Sequence, residues 1–124
     1  MGSPQARRFV VLHHVLSAGS HWDLMLERCD TLVTWQLAAP PEVAAAGPTV
    51  AQRIADHRKA YLDYEGPVSG GRGSVRIADA GTCRILVEAP DEWRFELAGR
   101  ILRGTFRLAR QPENADRWLL QSWA

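Results

Sequence analysis

The chain is poor in cysteine, in long apolar runs and in net charge, and each shortage closes off a class of protein. Cys29 and Cys83 are its two cysteines. Two isolated cysteines make neither a zinc spacing nor a disulfide framework, and they read as free thiols of a reduced compartment. No segment approaches the ~20 consecutive apolar residues that span a bilayer, and no signal peptide is visible. The expectation is therefore a cytoplasmic protein with no membrane contact. The net charge is +1, so global charge gives no argument for nucleic acid, and any polyanion site has to be local. A P-loop, a dinucleotide fingerprint and a nucleophile elbow are missing. Gly70-Gly71-Arg72-Gly73 lacks the Lys-Ser/Thr of a phosphate loop. No internal repeat and no low-complexity tract is present.

What remains is an ordinary globular composition. With 124 residues, 46% hydrophobic and 23% charged, the chain suits one domain over 1–124, able to bury a core without staples and expected to be a monomer. Apolar alternation with β-branched residues predicts strands over 8–13, 21–27, 31–37, 74–79, 82–88, 92–98, 101–110 and 117–123. Ala80-Gly81, Pro90-Asp91, Gly99 and 112–116 separate the later ones. Residues 38–48, rich in Pro and Ala, read as a loop with room for one helical turn. Residues 49–59 fit a short helix or turn as readily as a strand. The glycines of 69–73 permit unusual backbone angles. The fold class is all-β: a small closed barrel of about eight strands. Trp22 and Trp35 are assigned to its core.

Ser20-His21-Trp22-Asp23-Leu24-Met25-Leu26-Glu27 stands out. At a period of two, Trp22, Leu24 and Leu26 share one face, and His21, Asp23, Met25 and Glu27 the other. His21 and Asp23 are then ~7 Å apart at Cα, close enough to reach one ion. His13 and His14 precede them. Two or three imidazoles and a carboxylate suit a divalent ion such as Mn²⁺, Fe²⁺ or Zn²⁺. The competing reading is exposed loop histidines and an Asp23 paired with an arginine. His57, between Asp56 and Arg58-Lys59 and followed by Tyr61, reads either as an anion or proton-transfer site or as a solvated basic turn. Arg100, Arg103, Arg107 and Arg110 form a basic run, which is either a solvated strand face or a track for a phosphate backbone.

Phe9-Val10-Val11 with His14, then the stretch from His21 to Glu27, then Asp56-His57 through Tyr61-Leu62-Asp63-Tyr64-Glu65-Gly66, resemble the 3′-phosphoesterase domain of bacterial DNA ligase D, a domain also found as a small stand-alone protein. The resemblance implies a compact β-barrel. It also implies Mn²⁺-dependent trimming of DNA or RNA–DNA 3′ ends, in which a 3′-phosphate or 3′-terminal ribonucleoside is removed to leave a hydroxyl for ligation. By the same resemblance the metal falls on His14, His21 and Asp23, and the contacts to the scissile phosphate on His57 and Tyr61. His14 is favoured over His13 because the family's histidine also lies five residues after the equivalent of Phe9. A separately encoded ATP-dependent ligase or polymerase is an expected partner.

The chain departs from that pattern at three cations. Met25, Ala39 and Thr49 occupy places where the ligase-D form carries arginine, lysine and arginine. Each charge-assisted contact is worth ~1.5–3 kcal/mol, so their joint loss matters. Arg53, Arg58 and Arg72 are the candidate replacements. A rival reading follows: a metal- or nucleic-acid-binding barrel without turnover, acting as a repair adaptor. A metal-dependent phosphodiesterase for small nucleotides fits the same ligands.

Overall fold

A computed structural model describes residues 7–123. In chain order the elements are β1 (Arg7–Leu16), β2 (Gly19–Arg28), β3 (Thr31–Leu37), α1 (Pro41–Ala46), β4 (Thr49–Arg58), a 3₁₀ turn (Lys59–Leu62), β5 (Gly66–Pro67), β6 (Ser74–Glu88), β7 (Glu92–Gly99), β8 (Arg103–Gln111) and β9 (Asn114–Ser122). The sheet order is β1-β2-β3-β4-β9-β8-β7-β6-β5, and β1 also pairs with β6. Eight antiparallel strands thus close into a barrel, as the alternating pattern predicts, with the two-residue β5 pairing against the start of β6. Closure leaves no long sheet edge open to other chains. No described helix is long and apolar enough to cross a membrane.

Alternation explains the interior. Phe9 and Val11, Leu24 and Leu26, Val33 and Trp35, Trp93, Phe95 and Leu97, Phe106 and Leu108, and Trp118 and Leu120 all point into one buried cluster. Trp35 is its centre, edge-on to Trp93 at 5.1 Å and to Trp118 at 5.7 Å. Each fully buried side chain of this size contributes roughly 1.5–3 kcal/mol. Trp22 is only partly buried against this core. It stacks on His13 at 4.7 Å, nearly parallel. α1 begins with Pro41, whose fixed φ suits a first helical position.

Two expectations are corrected. Residues 49–58 form neither helix nor turn; they are strand β4, because Thr49–Gln52 pair with β9 and Ala51–Arg58 with β3. The helical turn of this region lies earlier, in α1. Nor does Ala80-Gly81 separate two strands. Residues 74–88 are one strand, and the irregularity is a bulge: Val11 faces Asp79 while Leu12 faces Ile77. The extra residue reverses the inside–outside phase. Cys83 and Asp79 therefore point inward, and Val75 points outward.

The outward residues of β1–β3 are not left to solvent. Val10, Leu12, Met25, Leu32 and Val75 form a second buried cluster with Leu62 of the 3₁₀ turn, and Tyr61 and Val68 pack against it. The chain from 59 to 73 thus covers one outer face of the barrel. Lys59 bonded to Glu27 and Arg8 bonded to Asp63 help tie it down, modestly so because these pairs are exposed.

Candidate metal centre

The site lies under that cover, on the outside of the barrel. Antiparallel pairing sets His14 of β1 directly opposite His21 of β2. Asp23 is two residues along β2 and so on the same face. One ligand atom from each of His14, His21 and Asp23 lies within 4.8 Å of the others. His21 Nδ1–H donates to Asp23 Oδ1 at 2.7 Å, and His14 Nδ1 is 3.7 Å from Asp23 Oδ2. The neighbouring His13 is paired with Trp22 and faces the other way.

His14 is oriented from behind. Its Nε2 lies 2.6 Å from the Arg72 carbonyl. A carbonyl only accepts, so Nε2 carries the proton and Nδ1 presents a lone pair beside Asp23. Glycine makes this possible. A Cβ at Gly73 would lie 2.0 Å from the Val15 carbonyl oxygen, and Gly70, Gly71 and Gly73 all have positive φ. Only a loop free of side chains at Gly73 comes close enough to β1 to set the Arg72 carbonyl on His14.

His14 and Asp23 face a cavity of about 120 Å³. Leu12, Met25, Val68 and Val75 give it an apolar lining, and His57 and Tyr61 complete it. Asp23 is buried, and loss of water pushes its carboxyl above the ordinary range, opposed by the bond from His21 and by nearby His14 and His57. A buried carboxylate between two imidazoles, one pre-oriented, is a donor set that suits a divalent ion.

His57 reaches the cavity through a second bulge. Thr34 pairs with Ile54, but Leu32 pairs with His57. The additional residue brings His57, in place of Asp56, opposite Leu32. His57 Nδ1–H donates to the Ala55 carbonyl at 2.9 Å, which leaves Nε2 free. Asp56 accepts instead from the Thr31 hydroxyl at 3.0 Å. Tyr61 sits edge-on to His57 at 5.6 Å.

The three candidate arginines go to different places. Arg72 lines the cavity, but its Nε donates to the Ser69 carbonyl at 2.7 Å. Arg58 borders an adjacent hollow with Tyr61 and Tyr64. Arg53 is not at the site at all. It pairs with Trp35 on the inward face of β4, and its guanidinium lies over the Trp35 and Trp93 rings at 4.7 and 5.5 Å. That position corrects the expectation of a phosphate contact from Arg53. Among the buried groups, Cys83 is no reactive thiol, because burial pushes it up to about 11.

Over residues 12–110 the sequence matches the family of the DNA ligase D 3′-phosphoesterase domain. The chain belongs to this family. The matched span holds the imidazole–carboxylate cluster, His57, Tyr61 and most of the barrel. No curated protein matches the chain. The family is one of DNA repair and acts on DNA ends. Reading the sequence does not single out Tyr64, which lines the adjacent hollow, or Val68 and the Arg72 carbonyl, which shape the candidate site of this phosphoesterase-family chain. Only the run of glycines hinted at the last of these.

Proposed function

We propose that this chain is a divalent-metal-dependent phosphoesterase that trims DNA 3′ ends, with Mn²⁺ as its metal. It removes a 3′-phosphate or a 3′-terminal ribonucleoside and leaves a hydroxyl. The observation that carries this reading is the cluster of His14, His21 and Asp23, of which His14 and Asp23 line one cavity with His57 and Tyr61, in a chain of this family.

His14, His21 and Asp23 would hold the ion. When bound, the ion supplies charge neutralisation at a phosphate oxygen. Each imidazole would bind through a ring-nitrogen lone pair, as His14 Nδ1 already offers. His57 offers Nε2 toward the phosphate, where it stabilises developing charge or passes a proton to the leaving oxygen. The Tyr61 hydroxyl donates to a phosphate oxygen and orients it. The apolar lining from Leu12, Met25 and Val75 excludes water and strengthens each of these contacts.

The test uses labelled DNA duplexes ending in a recessed 3′-phosphate or a 3′-ribonucleotide, incubated with Mn²⁺, Zn²⁺, Mg²⁺ or chelator. The expected result is Mn²⁺-dependent conversion to a 3′-hydroxyl that Asp23→Ala abolishes. One observation favours a second reading, binding without turnover. Met25 lines the cavity with a thioether, and the Arg72 guanidinium is bonded to Ser69. Stoichiometric metal binding with an unchanged terminus under every ion would select it.

A further inference from the structure

Beside the metal cavity lies a second hollow of about 200 Å³ that the proposed chemistry does not use. Tyr61 and Val68 line both and form the wall between them. The Tyr61 and Tyr64 rings meet at 5.8 Å and 85°, making a corner of two perpendicular aromatic faces. The corner is rigid before any ligand arrives. The Tyr64 hydroxyl donates to the Pro67 carbonyl, and His57 braces Tyr61 from the metal side. Gly66 permits this closeness, since a Cβ there would lie 3.1 Å from the Tyr64 hydroxyl.

Two carbonyls and a hydroxyl of the hollow are already engaged. The Ser69 carbonyl and hydroxyl accept from Arg72 at 2.7 and 3.3 Å, and the Pro67 carbonyl accepts from Tyr64. Flat aromatic surface remains, with Arg58 beside it. Such a surface takes a planar π-faced group and reads none of its edges. The walls come from one stretch, residues 58–69, and enclose room for one ring system and not for a strand.

We infer that this hollow holds the base of the 3′-terminal nucleoside while the phosphate joining it to the chain sits at the metal centre. The inference rests on the function proposed above and adds the subsite that selects a nucleoside-terminated end over a bare phosphate. Recognition by stacking without edge contacts makes the site tolerant of base identity.

The test uses 2-aminopurine, whose fluorescence falls on stacking, as the 3′-terminal ribonucleoside of a primer joined through an uncleavable methylenephosphonate, at fixed Mn²⁺. Saturable quenching is expected with the parent protein and with Tyr64→Phe. Tyr64→Ala should lose the quenching and bind roughly tenfold more weakly, within the range for removal of one stacking partner. On cleavable substrates, Tyr64→Ala should lower the ratio of ribonucleoside removal to 3′-phosphate removal by about tenfold. Quenching that appears only when the probe is one nucleotide inward, no quenching by the parent, or an equal fall on both substrates would overturn the inference. If the parent converts neither substrate, the catalytic reading fails, and the quenching series still decides the base site.

Discussion

Asp23 carries the conflict between function and stability in this fold. It is buried against an apolar lining, and without a metal its carboxyl is pushed above the ordinary value of 3.8. A carboxyl raised in the fold binds a proton that the unfolded chain has already released. Stability therefore falls as pH rises from the unfolded value through the raised one. Asp23→Asn keeps the shape and an acceptor for His21 while removing the charge. In chelator at pH 7 this variant should melt a few °C above the parent, and the gain should shrink once pH drops below the ordinary carboxyl range. Adding Mn²⁺ should reverse the order. Ligand at 100 times Kd stabilises the parent by about 2.7 kcal/mol, and the variant has lost the anionic ligand. Thermal scans at several pH values, with and without metal, check both signs. A variant that melts lower in chelator would mean that the ionised carboxylate is a net stabiliser.

The glycine loop is the element that turns a strand pair into a site. Gly73→Ala puts a Cβ 2.0 Å from the Val15 carbonyl oxygen, so the loop must withdraw and the Arg72 carbonyl must leave His14. Losing a partner that orients a ligand costs ~10–100-fold in metal affinity. The barrel core contains no residue of this loop and should stay folded. Gly71→Ala is the control, since it has a similar φ of +69 but no neighbour within 4 Å. Metal titration should separate the two variants, and equal losses would attribute the effect to backbone strain alone. This element also marks the limit of what the sequence reveals. The alternation of residues 92–98 and 101–110 is a property of single strands, and it is legible. His14, His21 and Asp23 are legible because β1 and β2 are joined by a short turn and pair with each other. The bulges at Asp79 and before His57 are not, since a one-residue change of phase is visible only against a partner strand. The place of Arg53 is hidden for that reason: it is near His57 in sequence, but on the inward face of β4. Val68 reaches the site, and Tyr64 the hollow beside it, through packing of the 59–73 segment, which carries no periodic signal.

At the scale of the whole molecule, charge is balanced locally as well as in total. Arg28 pairs with Glu88, Arg84 with Glu96, and Arg94 and Arg107 share Glu92. The basic run on β8 is therefore partly neutralised, and Arg107 also lies over the Trp123 ring at 4.9 Å. β8 is separated from β1 and β2 by two strands in one direction around the barrel and by three in the other, so this face is remote from the metal centre. A DNA end bound at the site and its neighbouring hollow engages two or three phosphates, not a long track. Counterion release scales with that number, with a slope of about −0.9 per phosphate. Affinity for a recessed 3′ end should then fall only roughly ten- to fortyfold between 50 and 200 mM salt, and charge-removing substitutions at Arg103 or Arg110 should leave the slope as it is. Fluorescence anisotropy across a salt series measures this directly. A loss of a thousandfold or more would instead require about six or more phosphate contacts. That would place the duplex along β8 and make the arginine run, not the metal centre, the main source of affinity.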